Sequence, residues 1–147
     1  MNVEEVMTLD PVCCSMNEPA DMAATLMAEL GVGVIPITES ASSYKLVGLV
    51  TDRDLAMKVV APGLDPKAVL LSNIMSSSII SCHPKDELEG VMILMREKQI
   101  RRIPVVNEDN ELEGIVSTAD LAIHNTVSGK DFSKVLQDVS KGQDPLY

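Results

Sequence analysis

Hydrophobic residues follow two different spacings along this chain. In short segments they stand side by side in runs rich in Val and Ile, as in buried strands, and in longer segments they recur at steps of three and four, as on one face of a helix. Pro19 suits the opening of the first helical pattern, and Gly31 suits its end. The pattern predicts strands at 12–15, 34–37, 45–50, 79–82, 102–106 and 111–116, and helices at 19–30, at 51–58, from 84 onward and at 117–124.

The two longer helices each carry an apolar stripe that includes methionine. The stripe residues are Met22, Ala23, Leu26, Met27 and Leu30 in the first, and Leu88, Val91, Met92, Leu94 and Met95 in the second. A stripe at this spacing is typical of a helix that packs on a core or on a second copy of the chain, and we favour that interpretation. The alternative is an adhesive surface for another protein.

The order of elements occurs twice because the sequence itself is repeated. Val6-Met7-Thr8 recurs as Ile74-Met75-Ser76, and Ile35-Pro36 recurs as Ile103-Pro104, in both cases 68 positions later (from 35 to 103). The copies differ by a short insertion in the polar turn before the last strand, which is where a true repeat tolerates one. We predict repeat 1 at 1–66 (core 6–60), repeat 2 at 67–128 (core 74–124) and a helical tail at 129–147.

A polar motif stands where the last strand of each copy meets its last helix. It reads Gly-x-x-Thr/Ser-x-x-Asp and spans Gly48–Asp54 and Gly114–Asp120. The hydroxyl of Thr51 or Ser117 suits a helix N-cap, and the Asp then falls in the first helical turn. Beside free backbone N–H groups, such a pair can hold a phosphate and a sugar diol. The alternative is a plain capping box that only stabilises the helix.

Composition and charge narrow the function classes. The 147 residues are 46% apolar and 23% charged, as in a folded protein. A net charge of −10 repels phosphate backbones, and an aromatic share of 2% leaves few stacking platforms, so we expect no nucleic-acid partner. No run of about 18 apolar residues could span a membrane, and the acidic N-terminal residues do not form a signal peptide. We therefore expect a cytoplasmic protein with no membrane partner.

The sequence contains no pattern typical of catalysis or metal binding. Cys13, Cys14 and Cys82 fit neither a disulfide framework nor a zinc-ligand spacing. His83 and His124 lie far apart, with no HExxH motif around either. No Walker-type loop is present, and the motif Asp residues have no His or Cys in the motif itself. We therefore predict that the protein is not an enzyme and has no metal site.

These motifs in combination resemble a tandem pair of CBS (cystathionine-β-synthase) domains, often called a Bateman module. The resemblance covers roughly 6–55 and 74–121, and it rests on the two opening tripeptides, the two Ile-Pro pairs and the two Gly-x-x-Thr/Ser-x-x-Asp motifs. It implies an α+β fold in which two β-α-β-β-α repeats pack as a pseudo-twofold pair. It also implies a homodimer of such pairs and a regulated protein partner.

The resemblance further implies a non-enzymatic sensor. Adenosine-containing ligands, either AMP, ADP and ATP or the S-adenosylmethionine class, would bind in the two clefts between the repeats, and no cofactor would be required. The alternative is a scaffold or dimerisation module in which these clefts are vestigial.

The resemblance assigns roles to three classes of residue. Those expected beside the phosphates are Thr51 and Ser117, and those expected to accept hydrogen bonds from ribose hydroxyls are Asp54 and Asp120. The apolar residues expected to line the base pocket are Ile35, Ile37, Ile103 and Val105. The residues expected to offer backbone groups to the base are Thr8 and Ser76.

The two copies differ in charge next to the Ile-Pro pair. Repeat 2 carries Arg101 and Arg102 there, which resembles the basic pair in the nucleotide-sensing subunit of AMP-activated kinase, whereas repeat 1 has an uncharged Gly-Val pair. Guanidinium groups bind phosphates bidentately, so we expect repeat 2 to hold the charged ligand. The alternative is that the pair only balances Glu97 and Glu108. Arg53, inside the first motif, could partly compensate in repeat 1.

Overall fold

The structure, a computed structural model, describes residues 1–124. The predicted tail at 129–147, with a helix through Phe132, Val135, Leu136 and Val139, lies outside these residues. Over the described range the chain forms two compact units. The first-copy unit is Val12–Ile79, and the second-copy unit combines Met1–Pro11 with 80–124.

Short strands and four α-helices make up the described chain, which confirms the α+β class. In chain order they are β1 (Thr8–Leu9), β2 (Cys14–Ser15), α1 (Ala20–Leu30), β3 (Val34–Ser40), β4 (Ser43–Thr51), α2 (Asp52–Leu55), α3 (Leu88–Lys98), β5 (Arg102–Val106), β6 (Leu112–Ser117) and α4 (Thr118–His124). A π-helical turn at Ala56–Val60 extends α2, and 3₁₀ turns lie at Val3–Glu5 and Leu71–Asn73. None of the described helices is long and apolar enough to cross a membrane.

Each unit contains one three-stranded sheet. In the first-copy unit, β3 lies between β2, to which it is parallel, and β4, to which it is antiparallel. In the second-copy unit, β6 lies between β1 and β5 and is antiparallel to both. Isolated bridges add one position to each sheet, because Ser76 pairs with Leu49 and Cys82 pairs with Val105. The two units therefore repeat one arrangement, in which short outer segments flank a central antiparallel pair.

Local sequence predicts where the first long helix, α1, ends, but not where the second, α3, ends. Gly31 ends α1 in the left-handed region at φ +66°, as its position predicts. Gln99 ends α3 at φ +56°, although it is not a glycine. The predicted start of α3 at Pro84 is wrong, since the helix begins at Leu88. The chain first makes a turn in which the His83 N–H donates to the carboxylate of Asp86.

The outer strands are shorter than the pattern predicts. The strand predicted at 12–15 is reduced to the two residues of β2, and the one predicted at 79–82 is reduced to the bridge at Cys82. The Cys82 N–H donates to the Pro104 carbonyl at 3.0 Å, and the turn at Pro84 follows at once. Proline lacks an N–H, so it cannot extend a ladder. Conversely, β1 was not predicted, because two residues are too few to show a period.

The outer position on one side of each sheet is filled by a segment from the other sequence repeat. The N-terminal arm, Met1–Pro11, belongs to the second-copy unit, where Thr8 pairs with β6. The connecting arm, 67–79, belongs to the first-copy unit, where Ser76 pairs with β4. Each arm therefore completes the sheet of the repeat to which it does not belong in sequence.

The arms also contribute to the cores. Val3 and Val6 are buried in the second-copy core, and Leu71 and Ile74 are buried in the first-copy core. The boundary between the compact units is therefore not at residue 66, where the sequence repeats divide. Each arm packs in the unit formed mainly by the other repeat.

Each unit has its own hydrophobic core. The first-copy core consists of Cys14, Ala20, Ala23, Met27, Ile35, Ile37, Val50, Val59, Leu71 and Ile74. The second-copy core consists of Val3, Val6, Cys82, Leu88, Val91, Met92, Met95, Ile100, Ile103, Val105, Val116 and Leu121. The α3 stripe is therefore core, as predicted. The α1 stripe is divided, because Met22 and Leu30 remain 43% and 49% exposed.

All three cysteines are free thiols in the described residues, and two of them lie in the cores. Burial, reinforced by the Glu18 carboxylate, raises the pKa of Cys14 to about 12. Burial and Asp86 raise the pKa of Cys82 to about 12, and burial also raises the pKa of Cys13. The thiolate is the nucleophile and the metal ligand, so these environments oppose both kinds of chemistry.

We predict that native Cys14 and Cys82 react with a thiol reagent such as DTNB far more slowly at about pH 8 than the same thiols in urea. Their raised pKa keeps them protonated, and burial excludes the reagent. Partly exposed Cys13 should react first. Stopped-flow absorbance measures the rates, and equal rates in native and unfolded protein would contradict this environment.

We predict that Gly114→Ala lowers the free energy of unfolding by about 1–3 kcal/mol, a typical penalty for overpacking. A Cβ at Gly114 would lie 2.9 Å from the Met7 Sδ and 2.9 Å from the Thr8 carbonyl oxygen. Gly90→Ala is the matched control, because nothing lies within 4 Å of its added Cβ and alanine favours helix there. Urea unfolding measures both, and a G114A variant as stable as G90A would show that the arm does not pack on β6.

Candidate functional site

The first-copy motif forms a complete capping box at the start of α2. Thr51 is the last residue of β4, and its Oγ1 accepts a hydrogen bond from the Asp54 N–H at 3.0 Å. The Thr51 N–H in turn donates to Asp54 Oδ2 at 2.9 Å. The capping box that the sequence left as an alternative to a ligand site is therefore present. It engages Oδ2 of the carboxylate and leaves Oδ1 for a different partner.

That partner in the first copy is Lys58. Its Nζ lies 3.0 Å from Asp54 Oδ1, and it also donates to the Ile74 carbonyl at 2.9 Å. The Asp54 side chain is only 17% exposed, whereas that of Lys58 is 46% exposed. The lysine therefore links the motif carboxylate to the connecting arm.

The second-copy motif repeats the cap at the start of α4. The Ser117 N–H and hydroxyl donate to Asp120 Oδ2 at 2.8 and 3.0 Å, and the Asp120 N–H donates to Ser117 Oγ at 3.2 Å. Asp120 Oδ1 accepts from the Thr8 hydroxyl at 3.3 Å. The carboxylate is thus held by an uncharged group where its first-copy equivalent is held by an ammonium.

Because each arm packs in the unit of the other repeat, the opening residue of each repeat, Thr8 or Ser76, lies beside the motif of the other repeat. Thr8 stands in repeat 1 of the sequence but contacts the second-copy motif, whereas Ser76 stands in repeat 2 but pairs with the strand that leads to the first-copy motif. The Ser76 N–H and carbonyl are both bonded to Leu49, at 2.8 and 3.0 Å. The structure therefore brings the predicted residues together in a crossed arrangement.

Strand register places an arginine opposite the hydroxyl of only one motif. Arg102 of β5 is the cross-strand partner of Ser117, whereas Val34 of β3 is the partner of Thr51. Side chains directly opposite in an antiparallel pair start about 5 Å apart on the same face. Arg102 therefore begins beside the second-copy motif, and the first copy has only an apolar side chain there.

The residue before that strand also makes the second copy more positive, because it is Gly33 in the first copy and Arg101 in the second. The Asp52 N–H donates to the Gly33 carbonyl at 3.0 Å, and a Cβ at Gly33 would lie 3.1 Å from the Asp52 carboxylate. In the second copy the equivalent bond joins the Thr118 N–H to the Arg101 carbonyl at 3.0 Å. The first copy thus has a carboxylate near the position where the second has an exposed arginine. Arg53, next to that carboxylate, is also exposed.

The four apolar residues predicted for a base pocket lie in the two cores. Ile35 is 1% exposed, and Ile37, Ile103 and Val105 are fully buried. Their side chains are packed against core residues and offer almost no surface to a ligand. Successive side chains of a strand point to opposite faces, so the prolines between them face the other way.

Two features of the site were missed by sequence reasoning. Lys58 was overlooked as a partner of Asp54, although its position four residues later on a helix is a recognised ion-pair spacing. The crossing of Thr8 to the second-copy motif left no local signal, because it depends on pairing between segments more than a hundred residues apart.

Within residues 1–124, no three His, Cys, Asp or Glu side chains come together in a group that could hold a metal ion. Each motif contains a hydroxyl and a carboxylate, and basic residues lie in it or beside it. Such groups bind polyols and phosphates through hydrogen bonds and charge. The arrangement is chemically suited to binding such compounds.

The CBS domain family matches residues 3–61 and 71–124. The chain is 37% identical over 139 residues to the CBS domain-containing protein YhcV of Bacillus subtilis, with 95% of each chain covered.

Solved structures show the same fold. The crystal structure of Hypoxic Response Protein I with two coordinated zinc ions has a TM-score of 0.72 and 32% identity, covering 84% of this chain and 98% of that one. The CBS domain pair of protein MJ0100, in complex with 5′-methylthioadenosine and S-adenosyl-L-methionine, has a TM-score of 0.71 and 26% identity, covering 85% and 95%. Since the family matches both copies and relatives align over nearly their whole length, this chain belongs to the CBS domain family and is a CBS domain pair.

Proposed function

We propose that this CBS pair is a cytoplasmic, non-enzymatic sensor of adenosine-containing ligands. AMP, ADP, ATP and the S-adenosylmethionine class all share a ribose diol. An ionised carboxylate that accepts from both hydroxyls of a diol makes charge-assisted bonds of about 1.5–3 kcal/mol each. Asp54 and Asp120 are the carboxylates that would do so. MJ0100, a relative of similar fold, binds two adenosyl compounds.

The observation that carries the proposal is the second-copy junction between β6 and α4. There Asp120 is fixed by the cap, its Oδ1 is held by the hydroxyl of Thr8, and Arg102 stands opposite Ser117. A threonine hydroxyl both donates and accepts, so it can reorient when a ribose hydroxyl arrives. Carboxylate, hydroxyls and guanidinium then form a compact set for a ribose and a phosphate.

The two motifs differ in the charge around them, which favours the second for phosphate. The charged residues are Asp52, Arg53, Asp54 and Lys58 at the first motif, and Arg101, Arg102 and Asp120 at the second. The first set is balanced and the second has an excess of one positive charge. In a chain with a net charge of −10, a local excess of guanidinium is where a phosphate gains most. The first motif suits a ligand that carries less negative charge.

Ligand binding would act by changing how the protein associates with other chains. We propose that the pair forms a homodimer and that the ligand alters its contact with a regulated protein. The exposed Met22 and Leu30 on α1 supply apolar surface for such contacts. A ligand shifts such an equilibrium only by its difference in affinity between two arrangements.

We predict that AMP, ADP, ATP, S-adenosylmethionine or adenosine raises the melting temperature of the full chain in a thermal-shift assay. A ligand at one hundred times its dissociation constant stabilises the folded state by about 2.7 kcal/mol, which is several degrees for a domain of this size. The bound nucleotide should be recovered unchanged. If no member of the panel raises the melting temperature at millimolar concentration, the protein is a scaffold with vestigial sites; if the nucleotide is hydrolysed, it is an enzyme.

We predict that replacing both Arg101 and Arg102 by Gln weakens AMP binding by tenfold or more while adenosine binding changes little. The guanidinium groups would contact only the phosphate, and each charge-assisted bond contributes about 1.5–3 kcal/mol. Lys98→Gln is the matched control, because it removes a charge from α3 of the same unit. Isothermal titration calorimetry measures all three proteins. Equal losses for AMP and adenosine, or an effect as large in Lys98→Gln, would contradict phosphate binding at the pair.

A further inference from the structure

We propose that Lys58 is an intramolecular competitor for the ligand-binding carboxylate of the first-copy motif, and that it sets the weaker affinity of that site for a ribose diol. This inference rests on the proposed function. It adds a specificity-determining residue that lies outside the motif Gly48–Asp54.

Lys58 occupies the carboxylate oxygen that a ribose hydroxyl would need. Its Nζ lies 3.0 Å from Asp54 Oδ1 and donates to the Ile74 carbonyl at 2.9 Å, so two fixed acceptors hold the ammonium. Oδ2 of the same carboxylate is taken by the Thr51 N–H. A ribose hydroxyl that approaches Asp54 therefore meets a carboxylate whose two oxygens are both engaged, one of them by a full positive charge.

The helix geometry brings the lysine to this place. Asp54 lies in α2, and Lys58 follows one turn later in the π-helical turn Ala56–Val60. Within that turn the Ala61 N–H donates to the Ala56 carbonyl, which is the wider bond of a π-helix. Single π turns are often found at functional sites.

In the second copy, the described partner of the motif carboxylate is different. Its Asp120 Oδ1 accepts from the Thr8 hydroxyl, which is uncharged and able to accept as well as donate. The residue that matches Lys58 in the repeat, 66 positions later as for the two motif glycines (from 48 to 114), is His124, a shorter side chain. An ammonium only donates, and it neutralises the carboxylate that gives a diol bond its strength. Among the described contacts, an ammonium therefore competes for the carboxylate at the first-copy motif.

The same feature indicates which ligands the first site would take. Phosphate is disfavoured because Asp52 lies beside Gly33, where the second copy has its arginine. A diol alone must displace Lys58 from Asp54. The site is therefore expected to bind adenosyl compounds with an uncharged 5′ substituent, and to bind them weakly until the lysine is displaced.

The test is a double-mutant cycle on the full chain, with adenosine as the probe and calorimetry as the readout. Lys58→Met should tighten adenosine binding at the first site by about fivefold, the upper end of the range for a partly exposed ion pair. The gain should vanish in an Asp54→Asn background, where the amide oxygen still accepts from Thr51 but the charge is gone. Lys45→Met, an exposed lysine on β4, is the control for loss of one charge.

A second probe separates the diol from the rest of the ligand. 2′-Deoxyadenosine has no diol, so Lys58→Met should leave its affinity unchanged. Lys58→Gln should reproduce the gain for adenosine, and melting temperatures verify that each variant is folded.

The outcomes distinguish this inference from the function on which it rests. If adenosine binds but Lys58→Met leaves its affinity unchanged or weaker, or if the gain persists in the Asp54→Asn background, Lys58 is not a competitor and the sensor proposal stands. If no variant binds adenosine or AMP, both proposals fail.

Discussion

The structure depends on the close contact of a methionine in each arm with the motif glycine of the other copy. A Cβ at Gly48 would lie 2.5 Å from the Met75 Sδ, and one at Gly114 would lie 2.9 Å from the Met7 Sδ. Because glycine leaves this space open, each arm can pair with the strand that leads to the motif. That pairing places Thr8 on Asp120 and completes both cores with residues from the arms. The glycine of each motif thus leaves room for the arm.

The cap and the proposed ligand site would be two uses of one carboxylate. In both copies Oδ2 of the motif aspartate is fixed by the backbone at the start of a helix, which orients the side chain in advance. Oδ1 is the variable atom, and its partner is the ammonium of Lys58 in one copy and the hydroxyl of Thr8 in the other. A small difference in that partner, together with the arginine opposite Ser117, makes two motifs with the same cap unequal in charge.

Most of the fold could be predicted from the sequence, because the central strands and the long helices are set by local periodicity and by caps such as Gly31. The outer strands could not, since one or two paired residues have no period. The capping roles of Thr51 and Ser117 followed from spacing. The crossing of Thr8 to Asp120 depends on pairing between distant segments, which no local pattern encodes. The link from Asp54 to Lys58 was visible in the spacing, but only the contact in the structure showed that it engages the free carboxylate oxygen.

A crystal structure of the full chain with AMP tests the sensor function most directly. The arrangement of the second-copy motif predicts ribose hydroxyls within hydrogen-bond distance of Asp120 and the phosphate on Arg101 and Arg102. At the first-copy motif, we expect the ion pair of Asp54 with Lys58 to remain intact. AMP bound with its ribose on Asp54 while Asp120 Oδ1 keeps only its hydrogen bond from the Thr8 hydroxyl, or a diol that contacts neither carboxylate, would contradict the proposed site.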